Sequence, residues 1–299
     1  MPLSSAYLLI SHGSRDPRPQ LAMDKLAELV RAQLGTVSAI NTPTLGVRAL
    51  SSQKNQFLQL PDADTIAESA LSKRDVVSPK DIARSHIASV VVNSAWYPLV
   101  GTATLELAPL PLHEQIRQFA SEALAAGCNQ LQLLPLFLLS GVHVMEDIPT
   151  EVALALGSLG QAIVINQRSH IGAHPGLGRM LASQLVTEEV DARILLSHGS
   201  RRPGSNEAVE AVAEQLGAVV AYWSVKPTLE EQLLVLADAG HKQIAILPYF
   251  LFSGGITDAI AQKVVDLQKQ FPGLQLSLAQ PIGASAQLAN LIVDLMDHK

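Results

Sequence analysis

The chain repeats itself, and that repetition limits what it can fold into more than any other feature. Leu8-Leu9-Ile10-Ser11-His12-Gly13-Ser14-Arg15 returns as Ile194-Leu195-Leu196-Ser197-His198-Gly199-Ser200-Arg201, each followed two positions later by a proline, Pro17 and Pro203. Residues 126–141 align with 239–254 at nine identities in sixteen positions. Ile171-Gly172-Ala173 is matched by Ile282-Gly283-Ala284. Three blocks in one order imply two copies of one domain, expected at 1–188 and 193–299. The copies differ in length, because His12 and Pro135 lie 123 positions apart and His198 and Pro248 only 50. The excess reads as an insertion at about 36–100 in the first copy. Its polar stretch 55–84 has no sustained period and suggests loop with one short helix, and 87–93 suggests an added strand.

Within each copy, short apolar runs alternate with helical patterns. Residues 6–11 stop at a glycine and read as a buried parallel strand. From Pro19 the pattern turns helical, with Leu21, Leu26, Leu29, Val30 and Leu34 on one face and Gly35 as the expected stop. Further strands are expected at 102–107, 130–135 and 162–166, and helices at 112–126, 149–156 and 175–187. The second copy repeats this from 193 to 296. The fold class is therefore α/β, two tandem doubly wound parallel-sheet domains from an internal duplication. In such sheets ligands sit beyond the carboxyl ends of the strands. His12 and Arg15 follow the first strand, Glu106 ends the second, and His143 lies in the loop after the third. A fused pair of domains also leaves a cleft between the rims.

Composition removes several function classes. An apolar content of 48% with only 16% charged residues supports a large core and excludes a disordered chain. Cys128, the single cysteine, excludes an internal disulfide and a cysteine-built metal cage. With 21 basic against 27 acidic residues, a general nucleic-acid surface is not expected. No apolar run approaches the ~20 residues of a membrane span, and the first residues lack a basic leader, so a cytoplasmic protein is expected. There is no G-x-S-x-G elbow, Walker A sequence or G-x-G-x-x-G after the first strand. A phosphohistidine phosphatase would want an arginine immediately before the histidine, and Ser11 stands there.

His143 has Ile256 as its counterpart, and Glu106, aligned from Glu114-Gln115 and Glu231-Gln232, has Trp223. A residue needed only for folding serves both copies, whereas an imidazole and a carboxylate kept in one copy indicate a single site in a duplicated scaffold. Two imidazoles and a carboxylate on one rim suit a divalent transition metal. His12 alone also reads as a loop histidine before a helix, with Gly13 making the turn. His113, His170 and His174 are weaker candidates, His174 as a cap at a helix start. His86 and His298 read as surface residues and His241 as part of a turn.

Ser-His-Gly-Ser-Arg at 11–15 and Leu-Pro-Leu-Phe-Leu-Leu-Ser-Gly-Val-His-Val-Met-Glu-Asp-Ile-Pro at 134–149 closely resemble the sirohydrochlorin chelatases, class II chelatases of cobalamin and siroheme synthesis. The resemblance covers both halves but not the insertion. It implies insertion of Co²⁺, or in other members Fe²⁺ or Ni²⁺, into a reduced tetrapyrrole without ATP. It implies that His12 and His143 are the paired metal-binding and catalytic histidines, with Glu106 at the matching acidic position. Sirohydrochlorin carries eight carboxylates, so Ser14, Arg15, Ser140 and Gly141 are expected substrate contacts, with Arg18 and Arg168 as further cations. No permanently bound cofactor is expected, and the divalent metal is a substrate. Fusion supplies the cleft that short members obtain by dimerising, so a monomer or weak homo-oligomer is expected. The chain lacks the cysteine- or histidine-rich C-terminal tail of some long members. The rival reading is a non-enzymatic tetrapyrrole or metal carrier that uses the same cleft.

Overall fold

The computed structural model describes residues 4–41, 98–184 and 190–297. Most of the insertion lies outside them, including the stretch 55–84, the expected strand at 87–93 and His86, as does His298. The first copy runs β1 (Ser5–Ser11), α1 (Pro17–Asn41), β2 (Val100–Thr104), α2 (Leu112–Ala125), β3 (Gln130–Pro135), α3 (Ile148–Leu159), β4 (Val164–Gln167) and α4 (Leu177–Gln184). The second runs β5 (Ala192–Ser197), α5 (Glu207–Leu216), β6 (Val219–Tyr222), α6 (Leu229–Asp238), β7 (Gln243–Pro248), α7 (Gly255–Gln270), β8 (Gln275–Leu278) and α8 (Ala286–Asp297). No helix among the described residues is long and apolar enough to cross a membrane.

Among the described residues each copy forms a four-stranded parallel sheet, ordered β2-β1-β3-β4 and β6-β5-β7-β8. The chain order reverses between the neighbours β1 and β3. Connections leaving these two strands diverge and open a crevice at their carboxyl ends. His12 follows β1 and His143 follows the end of β3, so the switch point lies between the two histidines.

Strand residues alternate between two buried faces, as a sheet covered on both sides requires. Leu8, Ile10, Leu131 and Leu133 pack with Ile116 of α2 and Val152 of α3, and Ile194, Leu196, Ile244 and Ile246 pack with Leu233 of α6 and Ile260 of α7. The opposite faces, carrying Leu9, Leu134, Leu195 and Leu247, share a single core filled by α1, α4, α5 and α8. The copies trade their last helices across this core. α8 lies beside α1 and against β3, while α4 lies beside α5. Arg168, at the end of β4, donates to the Met296 carbonyl of α8 at 2.9 Å. A Cβ at Gly178 of α4 would stand 2.1 Å from the Gln215 amide oxygen of α5. The halves therefore cannot part without exposing the core of both.

Three local expectations are corrected. Gly35 does not end α1, which continues to Asn41. A Cβ there would meet open space, and the ~1 kcal/mol that glycine costs in a helix is offset by burial of Leu26, Val30 and Leu34. The second strand ends at Thr104, two residues before Glu106, because Leu107 takes a φ of +63° and turns the chain out of extension. His143 is not in a loop but opens a π-helical turn, His143–Asp147, that runs directly into α3. Pro149 lacks the N–H that would bond four residues back, and the Ile148 N–H instead reaches the His143 carbonyl five residues back.

Candidate metal centre

The loops after β1 and β2 extend their strand pairing beyond the sheet. The Leu105 N–H donates to the Ser11 carbonyl at 2.8 Å, and the Glu106 N–H to the His12 carbonyl at 2.9 Å. Gln115 of α2 holds the same loop, accepting from the Thr104 N–H and donating to the Thr104 and Leu110 carbonyls. Leu107, in the left-handed region that costs a non-glycine residue ~1–2 kcal/mol, redirects the chain just past the acid. Glu106 is thus placed by its backbone before its side chain makes any contact.

These loops bring His12, Glu106 and His143 together, with one ligand atom from each within 4.8 Å of the others. They are the single grouping of three metal-competent side chains found among the described residues. An ion bound at ~2.1 Å keeps its ligand atoms within ~4.2 Å of one another, slightly tighter than the 4.8 Å limit that encloses these three. The two imidazoles meet edge to face, with centroids 4.7 Å apart and planes at 83°, and both lie near the Phe137 ring, tilted to it. His143 Nδ1 lies 2.7 Å from Asp147 Oδ2, and His12 Nδ1 lies 3.3 Å from the Gly13 carbonyl. Carbonyl and carboxylate oxygens only accept, so each Nδ1 donates and each Nε2 keeps its lone pair for a metal or a proton. Asp147 went unnoticed in the sequence, although its four-residue spacing from His143 on a helix is the signal that finds it.

The second copy lacks this set. Its ladder pairs the Trp223 N–H with the Ser197 carbonyl and the Ser224 N–H with that of His198. The counterpart of Glu106 is therefore Ser224, not Trp223. The loop between strand and helix is one residue shorter in the second copy, which shifts an alignment anchored on Glu114 and Glu231. His143 and its counterpart Ile256 both line a cleft cavity of about 560 Å³. His198 lines it too, and desolvation by burial, followed by the nearby His12, pushes its pKa below the ordinary histidine value.

Ser14 and Gly141 line this cavity, whereas Arg15 and Ser140 are not part of its wall. Arg15 is exposed, and the Ser140 carbonyl accepts from Ser205 Oγ at 3.3 Å. Arg168 is a structural tie between Gln132 of β3 and α8. Arg18 is engaged by Asp16 and by Asp258 of the other half. His113 ties α2 to α3 through Glu151, His170 is pushed below its ordinary pKa by burial, and His174 Nδ1 accepts from the Gly176 N–H as a turn cap.

The family model for CbiX matches twice, at residues 83–188 and 192–299, and so covers more than half of the chain. The chain belongs to the CbiX family. The second match spans all four strands of the second sheet, and the first spans β2, β3 and β4 but not β1. Among curated relatives, a sirohydrochlorin ferrochelatase of Priestia megaterium is 24% identical over 208 residues, covering 65% of this chain and 76% of its own. A sirohydrochlorin cobaltochelatase of the same organism is 23% identical over 193 residues, 59% of this chain and 63% of its own. The solved structure of SirB from Bacillus subtilis with Fe³⁺ superposes at a TM-score of 0.65 with 19% identity, over 98% of this chain and 94% of that one. At that identity the superposition speaks for the fold.

Proposed function

We propose that this CbiX-family chain inserts a divalent metal, Co²⁺ or Fe²⁺, into sirohydrochlorin without ATP, at one site in its first half. The observation that carries the reading is the convergence of His12, Glu106 and His143, with both histidines on the wall of a largely apolar cleft, within a fold whose curated relatives bear chelatase names. Metal insertion releases two pyrrole protons as the dication enters, so the site must hold the ion and accept protons in turn. Two neutral imidazoles with free Nε2 atoms suit both tasks, and Glu106 adds an anion that favours the incoming dication and can carry a released proton outward. The apolar walls, Phe137 and Ile256 among them, suit the faces of a macrocycle. Imidazole and carboxylate accept cobalt and iron alike, so supply selects the ion. One chain contains the whole cleft, so a monomer suffices, and a cytoplasmic setting fits its chemistry.

Anaerobic visible spectroscopy of sirohydrochlorin with Co²⁺ or Fe²⁺ tests the reading. Wild type is expected to accelerate metallation well above the protein-free rate with both ions, their ratio ranking them. Tight tetrapyrrole binding with no acceleration would replace the enzyme by a carrier.

Asp147 enters as a positioning residue, since it fixes the His143 tautomer without reaching the metal. Asp147→Asn is expected to lower affinity for Co²⁺ alone by ~10–100-fold, read from the cobalt absorption bands without tetrapyrrole. Unchanged cobalt affinity would remove Asp147 from the site.

A further inference from the structure

Each end of the cleft is spanned by an arginine from one half and an acid from the other. At one end Arg18, in the first turn of α1, donates to both Asp258 carboxylate oxygens in α7, at 3.1 and 2.5 Å, while its other face grips Asp16. At the opposite end Arg202, after β5, donates to Glu146 at 2.9 Å, three residues beyond His143. The two pairs use corresponding segments of the internal repeat, though not aligned residues, since Arg18 aligns with Gly204 and Asp258 with Met145. Each joins the segment after one copy's first strand to the helical segment after the other copy's third strand. None of the four charged side chains lies in the cavity wall itself, but near neighbours in the chain do, Pro19 and Thr257 next to the first pair and Ser200 and His143 two and three positions from the second.

These pairs are exposed, with 46% and 38% of the two arginine side chains and 59% and 63% of the two acids open to solvent. Exposed pairs contribute little to stability, and the shared core with its traded helices already holds the halves together. Their position explains more than their strength does. A chain of net charge −6 has no general attraction for a polyanion, so recognition of one must be local. A guanidinium fork presents two parallel donors to any carboxylate, and it exchanges one for another without losing its geometry.

We propose that Arg18 and Arg202 are carboxylate-recognition residues at the two ends of the cleft, occupied by Asp258 and Glu146 until carboxylates of the bound macrocycle replace them. The assignment rests on the tetrapyrrole reading above and adds its specificity. On binding, the two acids turn to solvent and the arginines keep an anionic partner, so no movement of the halves is required. A macrocycle without peripheral carboxylates cannot make the exchange.

The test is anaerobic equilibrium binding of metal-free sirohydrochlorin, followed by its visible spectrum between about 0.05 and 0.5 M salt. The double variant Arg18→Gln/Arg202→Gln is expected to bind about tenfold more weakly or worse, with a flatter salt dependence. The double variant Asp258→Asn/Glu146→Gln is expected to bind several-fold more tightly, because the competing anions are gone. These opposite signs are the deciding result, since a mere brace between the halves is broken equally by either variant. Changes of the same sign, or wild-type affinity in the arginine variant, overturn the proposal. The octamethyl ester of the ligand is expected to bind all three proteins alike, and an arginine effect on the ester also overturns it. Wild type that binds but does not metallate removes the proposed enzyme and leaves the arginine assignment standing. Wild type that does not bind removes both.

Discussion

Replacing His143 by alanine is expected to slow metal insertion on the order of 10²–10⁴-fold, the range lost with a general base, while the protein stays folded. The fold is spared because the side chain is 36% exposed and opens onto the cleft, where truncation leaves no cavity in the core. The loss is large because no neighbour can substitute. Asp147 approaches Nδ1 from behind, and Ile256 faces the site with an inert side chain. His198→Ala supplies the internal control. His198 lies in the same cleft, but its own copy offers Ser224 and Ile256 where the first offers Glu106 and His143. Its removal is expected to cost less than about tenfold. Rates measured side by side on folded protein decide the matter. Equal losses would mean that the site spans both copies and that the second half takes part in the chemistry.

The asymmetry behind that comparison was visible in the sequence because duplication supplies its own reference. Where one copy keeps His143 and the other has Ile256, chemistry separates from scaffold without any structure. The same comparison failed by one position at Glu106, because a loop shortened by one residue leaves no trace when helix residues serve as anchors. Only the backbone bonds from Glu106 to His12 and from Ser224 to His198 set the true register. The exchange of α4 and α8 was invisible for a different reason. Their apolar faces are equally satisfied by either sheet, and the partner is chosen by tertiary geometry that periodicity does not encode. Arg18 illustrates the limit for charges. The sequence presents a cation near a rim, but its link to Asp258, 240 positions away, exists only once the halves are assembled. β1 and β3, by contrast, were legible nearly to the residue, since Leu131, Leu133 and Leu134 are apolar because both faces of β3 are covered.

Gly13→Ala is expected to give the largest loss of stability near the site, ~2–4 kcal/mol, together with loss of function. Gly13 has a φ of +97°, and a Cβ there would stand 2.1 Å from the Glu106 carbonyl oxygen. That oxygen belongs to a loop tied to the His12 carbonyl and held by Gln115, so it cannot yield without carrying the acid away from the two histidines. Gly199→Ala repeats the change in the second copy, where φ is +80° and the new methyl would meet Val225 Cγ2 at 2.7 Å and Tyr222 Cβ at 2.8 Å. Its cost is expected to be somewhat smaller, ~1–3 kcal/mol, because the valine methyl can rotate partly aside. The two variants therefore resemble each other in urea unfolding and diverge in metallation. Per folded molecule, Gly199→Ala should keep its rate, and Gly13→Ala should lose on the order of 10–100-fold, as when a metal-supporting residue is displaced. A Gly13→Ala protein with wild-type activity per folded molecule would show that Glu106 need not be where the β1–β2 loops place it. The metal would then rest on the two histidines alone.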